Sequence, residues 1–256
     1  SGAFRLPMAD RAGEAVAEPR DIGAAKGSGM TMIDTIQRAM VIAPHPDDEV
    51  LGCGGTIARL VSMGRHVEVV VATRGSAPMF DAEQVERVQA EARRAHAMLG
   101  IARTHFLDFP AARLDSVPRA ELNQGIGTLV AQGRPDALFI PFVGDLHFDH
   151  GLVFEAAMVA ARPIGANYPA RILAYETVSE TNWAAPYLAP SFQPNLFVDI
   201  SGHLDRKIEA FSCFASQIRP FPNERSVETL RALAQVRGSC VSREAAEAFV
   251  LIREVS

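Results

Sequence analysis

The chain has 256 residues, of which 48% are apolar, so it can bury a substantial core in one large α/β domain or two small ones. A formal net charge of −5 argues against the diffuse basic face by which many proteins bind nucleic acid. No apolar run approaches the roughly 18 residues of a membrane span, and three scattered cysteines predict a reducing compartment. Because the N-terminal region lacks the apolar block of a secretory signal, we expect a cytoplasmic protein.

Strand-like and amphipathic segments alternate along the chain from residue 39 onward. Strands are predicted at residues 39–43, 66–72, 104–109, 137–142, 171–176 and 197–200. Helices are predicted at residues 50–63, 82–99, 117–132, 151–162 and 203–217. Such alternation predicts an α/β fold with a Rossmann-like, mainly parallel sheet flanked by helices.

Three segments lie outside this alternation. Residues 1–31 are rich in Ala, Gly and Arg without clear periodicity, and they predict an N-terminal arm or tail before a single domain over residues 32–256. Residues 177–194 have little periodicity and predict either a lid or substrate wall or an ordinary surface loop. The weakly alternating residues 249–255 predict a last edge strand.

The first predicted strand ends at a polar segment with one imidazole and three adjacent carboxylates, at His45, Asp47, Asp48 and Glu49. Adjacent carboxylates repel one another unless a cation or a proton neutralises them. Open α/β sheets bind ligands beyond the carboxyl ends of their strands. The leading interpretation is therefore a metal site, and the alternative is that these acids only cap the helix that follows.

The predicted strand at 137–142 also ends at a polar segment, which contains Asp145, His147, Asp149 and His150. A single loop histidine is usually a solvated side chain. Two of the seven histidines of the chain within four residues, beside two aspartates, are harder to explain in that way. One histidine and one aspartate from the first segment, with one histidine from the second, would leave a metal position open, as catalytic zinc sites do.

The two segments together resemble those of the PIG-L/LmbE-like zinc N-deacetylases. This family includes deacetylases of glycosylphosphatidylinositol, mycothiol and bacillithiol biosynthesis. The similarity extends to Thr73-Arg74-Gly75 and to other short segments, so that it covers roughly residues 38–255. It implies one Zn²⁺ per chain, replaceable by other divalent metals, at the C-terminal ends of the strands. The ligands that the resemblance implies are His45, Asp48 and His150.

The resemblance also implies a reaction, the removal of an acetyl group from an N-acetylated amino sugar or its conjugate, a small-molecule substrate. Zinc lowers the pKa of bound water to about 7, and Asp47 would act as the general base. A protonated His147 would stabilise the tetrahedral oxyanion, and either residue could protonate the leaving amine. The alternatives are a zinc amidase acting on another small amide, such as a thiol conjugate, and a non-catalytic carbohydrate-binding protein. A carbohydrate-binding protein without catalytic activity would have no use for an Asp47 that does not bind the metal.

Four further residues complete the predicted site. Arg74, after the second strand, is predicted to bind substrate, although an exposed arginine is as often simply solvated. Asp145 is also predicted to bind substrate. Glu49 and Asp149 are predicted to orient imidazoles by hydrogen bonds, and helix or loop capping explains them equally well. The sequence favours no oligomeric state, and a homo-oligomer is one possible assembly.

Overall fold

A seven-stranded sheet organises the residues that the structure, a computed structural model, describes, namely 30–165 and 167–256. Its strands are β1 (Arg38–Ala43), β2 (His66–Arg74), β3 (Arg103–Pro110), β4 (Ala137–Pro141), β5 (Arg171–Tyr175), β6 (Leu196–Asp199) and β7 (Ala246–Glu254). The order across the sheet is β3-β2-β1-β4-β5-β7-β6. Strands β1 to β5 pair in parallel, and β7 is antiparallel to β5 and β6. The predicted α/β fold with a mainly parallel sheet is confirmed.

Helices cover both faces of this sheet. They are α1 (Met32–Thr35), α2 (Asp48–Ser62), α3 (Ala82–Leu99), α4 (Arg119–Gly133), α5 (Phe148–Ala160), α6 (Leu204–Ser212) and α7 (Val227–Ser239), with a short 3₁₀ turn at Leu114–Ser116. Successive residues of β1 point to opposite layers: Val41 packs with residues of α2, α3, α6 and α7, and Ile42 packs with residues of α4 and α5. Strands buried on both faces carry continuous apolar runs, which explains why β1 and β4 were visible in the sequence.

Residues Met32–Ser256 form one compact unit. The predicted N-terminal arm lies outside the described residues, apart from its last two positions. In the part of the chain that is described, no helix is long and apolar enough to cross a membrane.

The C-terminal third differs from the prediction in three respects. The last strand is not an edge strand, because β7 pairs on one side with β5 and on the other with the short β6, which takes the edge position. The helix expected at 203–217 ends at Ser212, and the segment that follows it places Phe214 in the core. A further helix, α7, was missed, although Ser226 is a regular N-cap whose side chain accepts a hydrogen bond from the backbone N–H of Thr229.

Close packing of α2 against the sheet sets the position of the loop after β1. A Cβ atom at Gly52 would lie 2.3 Å from Cδ2 of Tyr175, so only glycine fits at this contact. The hydroxyl group of Tyr175 donates a hydrogen bond of 2.9 Å to the backbone oxygen of Ile42 in β1. The N-terminal half of α2 is therefore held directly over the carboxyl end of β1.

A buried ion pair holds the middle of the same helix. Lys207 of α6 donates hydrogen bonds to Glu247 of β7 at 2.6 Å and to the backbone oxygen of Leu51 at 2.7 Å. The carboxylate of Glu247 accepts the backbone N–H groups of Gly55 and Thr56 at 2.8 and 2.7 Å. Both charged side chains are almost fully buried. The loss of any partner in this network would therefore leave a buried polar or charged group unpaired.

Replacing Glu247 with alanine should therefore lower the free energy of unfolding by about 3–5 kcal/mol, because the buried Lys207 ammonium loses its counter-ion. Urea denaturation followed by circular dichroism measures this change. Glu244→Ala, an exposed neighbour, is the matched control and should change stability by less than about 0.5 kcal/mol. Equal stability of the two variants would show that the ion pair does not stabilise the fold.

Candidate metal and active site

Two loops meet at the carboxyl ends of β1 and β4. Residues 44–47 connect β1 to α2, and residues 142–147 connect β4 to α5. Strands β1 and β4 are parallel neighbours at the point where the strand order reverses, so the loops leave the sheet side by side. This is the crevice in which open α/β sheets bind their ligands.

The two loops, with the first turns of α2 and α5, bring His45, Asp48 and His150 together. Each residue offers a ligand atom, and these atoms all lie within 4.8 Å of one another. His150 Nε2 is 3.3 Å and His45 Nδ1 is 3.4 Å from Asp48 Oδ2. Asp48 and His150 are buried, whereas His45 is partly exposed on a cavity. The three side chains could hold a metal ion that remains accessible from one side.

Hydrogen bonds to carboxylates orient both imidazoles. His150 Nδ1 donates to Asp145 Oδ2 at 2.8 Å, and His45 Nε2 donates to Asp149 Oδ2 at 3.0 Å. In each bond the outer ring nitrogen is the donor, and the inner nitrogen faces Asp48. Once its proton is lost, the inner nitrogen is the one that could bind a metal.

The cluster fits a divalent cation. Among the residues that the structure describes, His150 Nε2 and Asp48 Oδ1 are buried without a hydrogen-bond partner, which ordinarily costs about 1–3 kcal/mol per group. Burial lowers the pKa of His150, but the carboxylates of Asp48 and Asp145 raise it to about 10 overall. Burial likewise lowers the pKa of His45, and its bonds to Asp149 and Asp48 raise it to about 9. The carboxylates thus favour positive charge here, and two imidazoles with one carboxylate suit zinc and similar metals.

Asp47 adopts an uncommon backbone conformation beside this cluster. Its φ of 112° lies in the left-handed region, which is rare for residues other than glycine. Although Asp47 is the N-cap residue of α2, its side chain makes no capping hydrogen bond and instead lines the cavity. Burial raises the pKa of the Asp47 carboxyl to about 7, and the adjacent Arg225 guanidinium opposes the rise. A base with a pKa near neutrality is suited to proton transfer.

Glu49 and Asp149 both contact imidazoles, as predicted, but only one of these imidazoles lies in the cluster. Asp149 contacts His45, whereas Glu49 Oε1 contacts Nε2 of the buried His96 in α3 at 2.8 Å. The other oxygen of Glu49 accepts the backbone N–H of Asp47 at 3.1 Å. Glu49 therefore supports the strained backbone of Asp47 and contacts none of the three clustered side chains.

His147 lies beside the cluster in a neutral form. Its Nδ1 accepts the backbone N–H of Asp149 at 3.2 Å, so the ring proton is on Nε2. Burial, together with the positive charge of His45, lowers the pKa of His147 to about 4. Both observations favour a neutral imidazole that offers an N–H donor from Nε2, in place of the protonated His147 expected from the sequence.

The two predicted substrate-binding residues differ in position. Arg74 lines the cavity and lies 3.6 Å from the carboxylate of Asp108. Asp145 has a fully buried side chain that accepts hydrogen bonds from His150 and, at 2.6 Å, from Thr181 Oγ1. The predicted substrate contact of Asp145 is wrong, because the residue lies behind His150 and holds its imidazole.

A cavity of about 270 Å³ opens over His45, Asp47 and His147. Its other wall is formed by apolar and amide side chains from the start of α3 and the preceding loop, including Phe80, Gln84, Val85 and Val88. Of residues 177–194, for which a substrate wall or a surface loop was predicted, only Glu180 lines this cavity.

Arg225 also lines this cavity, and sequence reasoning missed it. Its Nη1 donates to Asp47 Oδ2 at 2.7 Å across a sequence separation of 178 residues. Arg225 belongs to no motif of the sequence and directly precedes the N-cap of α7. Only the folded arrangement of the chain identifies it.

This fold and site define a class: α/β enzymes that place a histidine–aspartate cluster at the switch point of a mainly parallel sheet. Residues 40–161 match the family model described as "PIG-L: GlcNAc-PI de-N-acetylase". The diacetylchitobiose deacetylase of Thermococcus kodakarensis is 30% identical over 204 residues, which cover 74% of this chain and 72% of that protein. The uncharacterized deacetylase YaiS of Escherichia coli is 32% identical over 169 residues, covering 63% and 80%.

Among solved structures, the conserved protein TT1542 from Thermus thermophilus superposes with a TM-score of 0.68 at 29% identity, covering 85% of this chain and 96% of that one. The match therefore extends well beyond residues 40–161, which the family model covers. The chain belongs to the PIG-L family of deacetylases.

Proposed function

We propose that the protein is a zinc-dependent hydrolase that removes the acetyl group from an N-acetylated amino sugar or its conjugate. The observation that carries this proposal is the convergence of His45, Asp48 and His150 beside an Asp47 that does not ligate and faces the cavity. A non-catalytic binding protein would have no reason to keep this carboxylate buried on a strained backbone.

The three clustered side chains would hold the metal, which when bound would acidify water and polarise the amide carbonyl. Asp47 accepts the proton of the attacking water. His147 donates from Nε2 to the oxygen on which negative charge develops, a contact of the kind that typically contributes about 100-fold or more in rate. Because Nδ1 of His147 already accepts a backbone N–H, the neutral ring has no ready proton to give away. Asp47 therefore returns the proton that it took, to the departing amine.

The sugar part of the proposal draws on relatives as well as on the cavity. The relative from Thermococcus kodakarensis is named for diacetylchitobiose, an N-acetylated sugar, and the family model for an N-acetylglucosamine conjugate. In this chain, Arg74 lies on the cavity with its guanidinium partly exposed, which supports a role in contacting a sugar hydroxyl or a phosphate of the conjugate. The apolar wall around Phe80 and Val88 can accept the less polar face of a sugar ring.

Acetate release from a panel of N-acetylhexosamine conjugates tests the proposal. The panel contains a nucleotide sugar, a lipid-linked sugar, an antibiotic precursor and diacetylchitobiose, and an N-acylated thiol conjugate serves as comparison. We expect release from at least one sugar, loss of release after chelation, and recovery when stoichiometric Zn²⁺ is added. Hydrolysis of the thiol conjugate alone would contradict the sugar assignment, and hydrolysis by chelator-treated protein would contradict the metal mechanism.

A further inference from the structure

Arg225 is the cation that contacts Asp47 among the described residues, at 2.7 Å from Oδ2. We propose that Arg225 is a positioning residue: it anchors one oxygen of the Asp47 carboxylate so that the other faces the water to be deprotonated. The inference rests on the proposed function, because it assigns Arg225 a role only through the base Asp47.

The surroundings of Asp47 make such an anchor necessary. Its neighbours Asp48 and Glu49 are buried carboxylates that repel a negative charge on Asp47. No described group other than Arg225 donates a hydrogen bond to the Asp47 side chain. Among the described residues Oδ1 therefore has no hydrogen-bond donor, while Oδ2 is held by a single guanidinium.

Arg225 is itself held in place by a second loop. Its Nε donates to Ser179 Oγ at 3.1 Å, and its Nη2 lies 4.0 Å from Glu180 Oε1. The backbone N–H of Ser179 donates in turn to Glu224 Oε2 at 2.9 Å. The guanidinium thus joins the loop before α7 to the loop after β5, and both loops fix its orientation toward Asp47.

This geometry favours a positioning role over direct binding of substrate. Arg225 borders the cavity, but its side chain is only 23% exposed and two of its nitrogens already have acceptors. Arg74, at 44%, is the more exposed arginine on the same cavity. A substrate-binding arginine would mainly change KM when it is replaced, whereas a positioning arginine changes kcat.

Steady-state kinetics of the zinc-loaded variants Arg225→Gln and Arg225→Lys test the inference. We expect kcat of Arg225→Gln to fall about 100-fold, as for a displaced catalytic group, with KM and bound zinc unchanged. Lysine should recover part of kcat, because an ammonium supplies the charge without the planar fork. Arg219→Gln is the matched control, since this arginine lies in the same loop and its side chain donates only to nearby backbone oxygens. It should behave as wild type.

A double variant separates the two proposals. In the background of Asp47→Asn, Arg225→Gln should cause no further loss of kcat, because the anchored group has already been removed. Wild-type kcat in Arg225→Gln, a rise in KM alone, or a full additional loss in the double variant would overturn the inference. If Arg225→Gln fails to fold, Arg225→Lys takes its place, and a loss of kcat on Arg225→Lys that recurs in full in the Asp47→Asn background would do the same. High activity of Asp47→Asn itself would instead contradict the proposed function.

Discussion

Replacing Asp47 with asparagine should reduce hydrolysis by about 1,000-fold or more while bound zinc remains stoichiometric, since general acid–base groups contribute up to roughly 10,000-fold. Asparagine has nearly the same shape as aspartate, and its amide oxygen can still accept the hydrogen bond from Arg225. It cannot take a proton from water at neutral pH. The loss is therefore expected in kcat, with the metal site and the fold preserved.

The measurement combines acetate release with metal analysis of the same purified sample. Asp205→Asn is a suitable control, because Asp205 is an exposed carboxylate at the start of α6 that pairs only with Arg231. It should retain wild-type turnover. Unchanged turnover in Asp47→Asn would refute the assignment of the base, and loss of zinc from that variant would mean that Asp47 contributes to ligation.

Replacing His150 with alanine should remove the metal. His150 is fully buried, and its Nε2 has no hydrogen-bond partner in the described part of the chain, so the side chain serves the cluster directly. Only His45 and Asp48 would remain, and two ligands bind zinc far more weakly than three. Metal content after dialysis and competition with a chelating dye measure the loss, and hydrolysis should disappear with the metal.

The variant Asp145→Asn should lose less metal affinity than His150→Ala and serves as the comparison. Asp145 touches the cluster only through Nδ1 of His150, so its replacement should weaken metal affinity by about 10–100-fold, the range typical of groups that orient a ligand. The effect of His150→Ala should be clearly larger. If His150→Ala binds zinc as tightly as wild type, His150 is not a ligand and the proposed set of three is wrong.

Much of the fold could be predicted from the sequence, because strands buried on both faces leave continuous apolar runs between amphipathic helices. The convergence of His45 and His150 was also predictable: adjacent parallel strands end at the same edge, however far apart they lie in the chain. The position of β7 inside the sheet was not predictable, since strand order depends on pairing between distant segments.

The surroundings of the site were less accessible to sequence reasoning. Arg225 has no local pattern that distinguishes it from other loop arginines, and its contact with Asp47 exists only once two remote loops have packed together. The role of Asp145 was misassigned for a related reason. A carboxylate in a polar loop can face either substrate or protein, and the direction is set by neighbours such as Thr181 that are remote in sequence.

The carboxylate of Glu247 reaches α2 from β7, nearly two hundred residues further along the chain. On the ribosome, the helix that begins at Asp48 leaves the exit tunnel long before this strand has been synthesised. Until then Lys207 has no buried counter-ion, and Asp48, the proposed metal ligand, lies on a helix that β7 does not yet hold in place. We therefore expect the proposed metal site to reach its final geometry late in biogenesis, when the C-terminal strand docks.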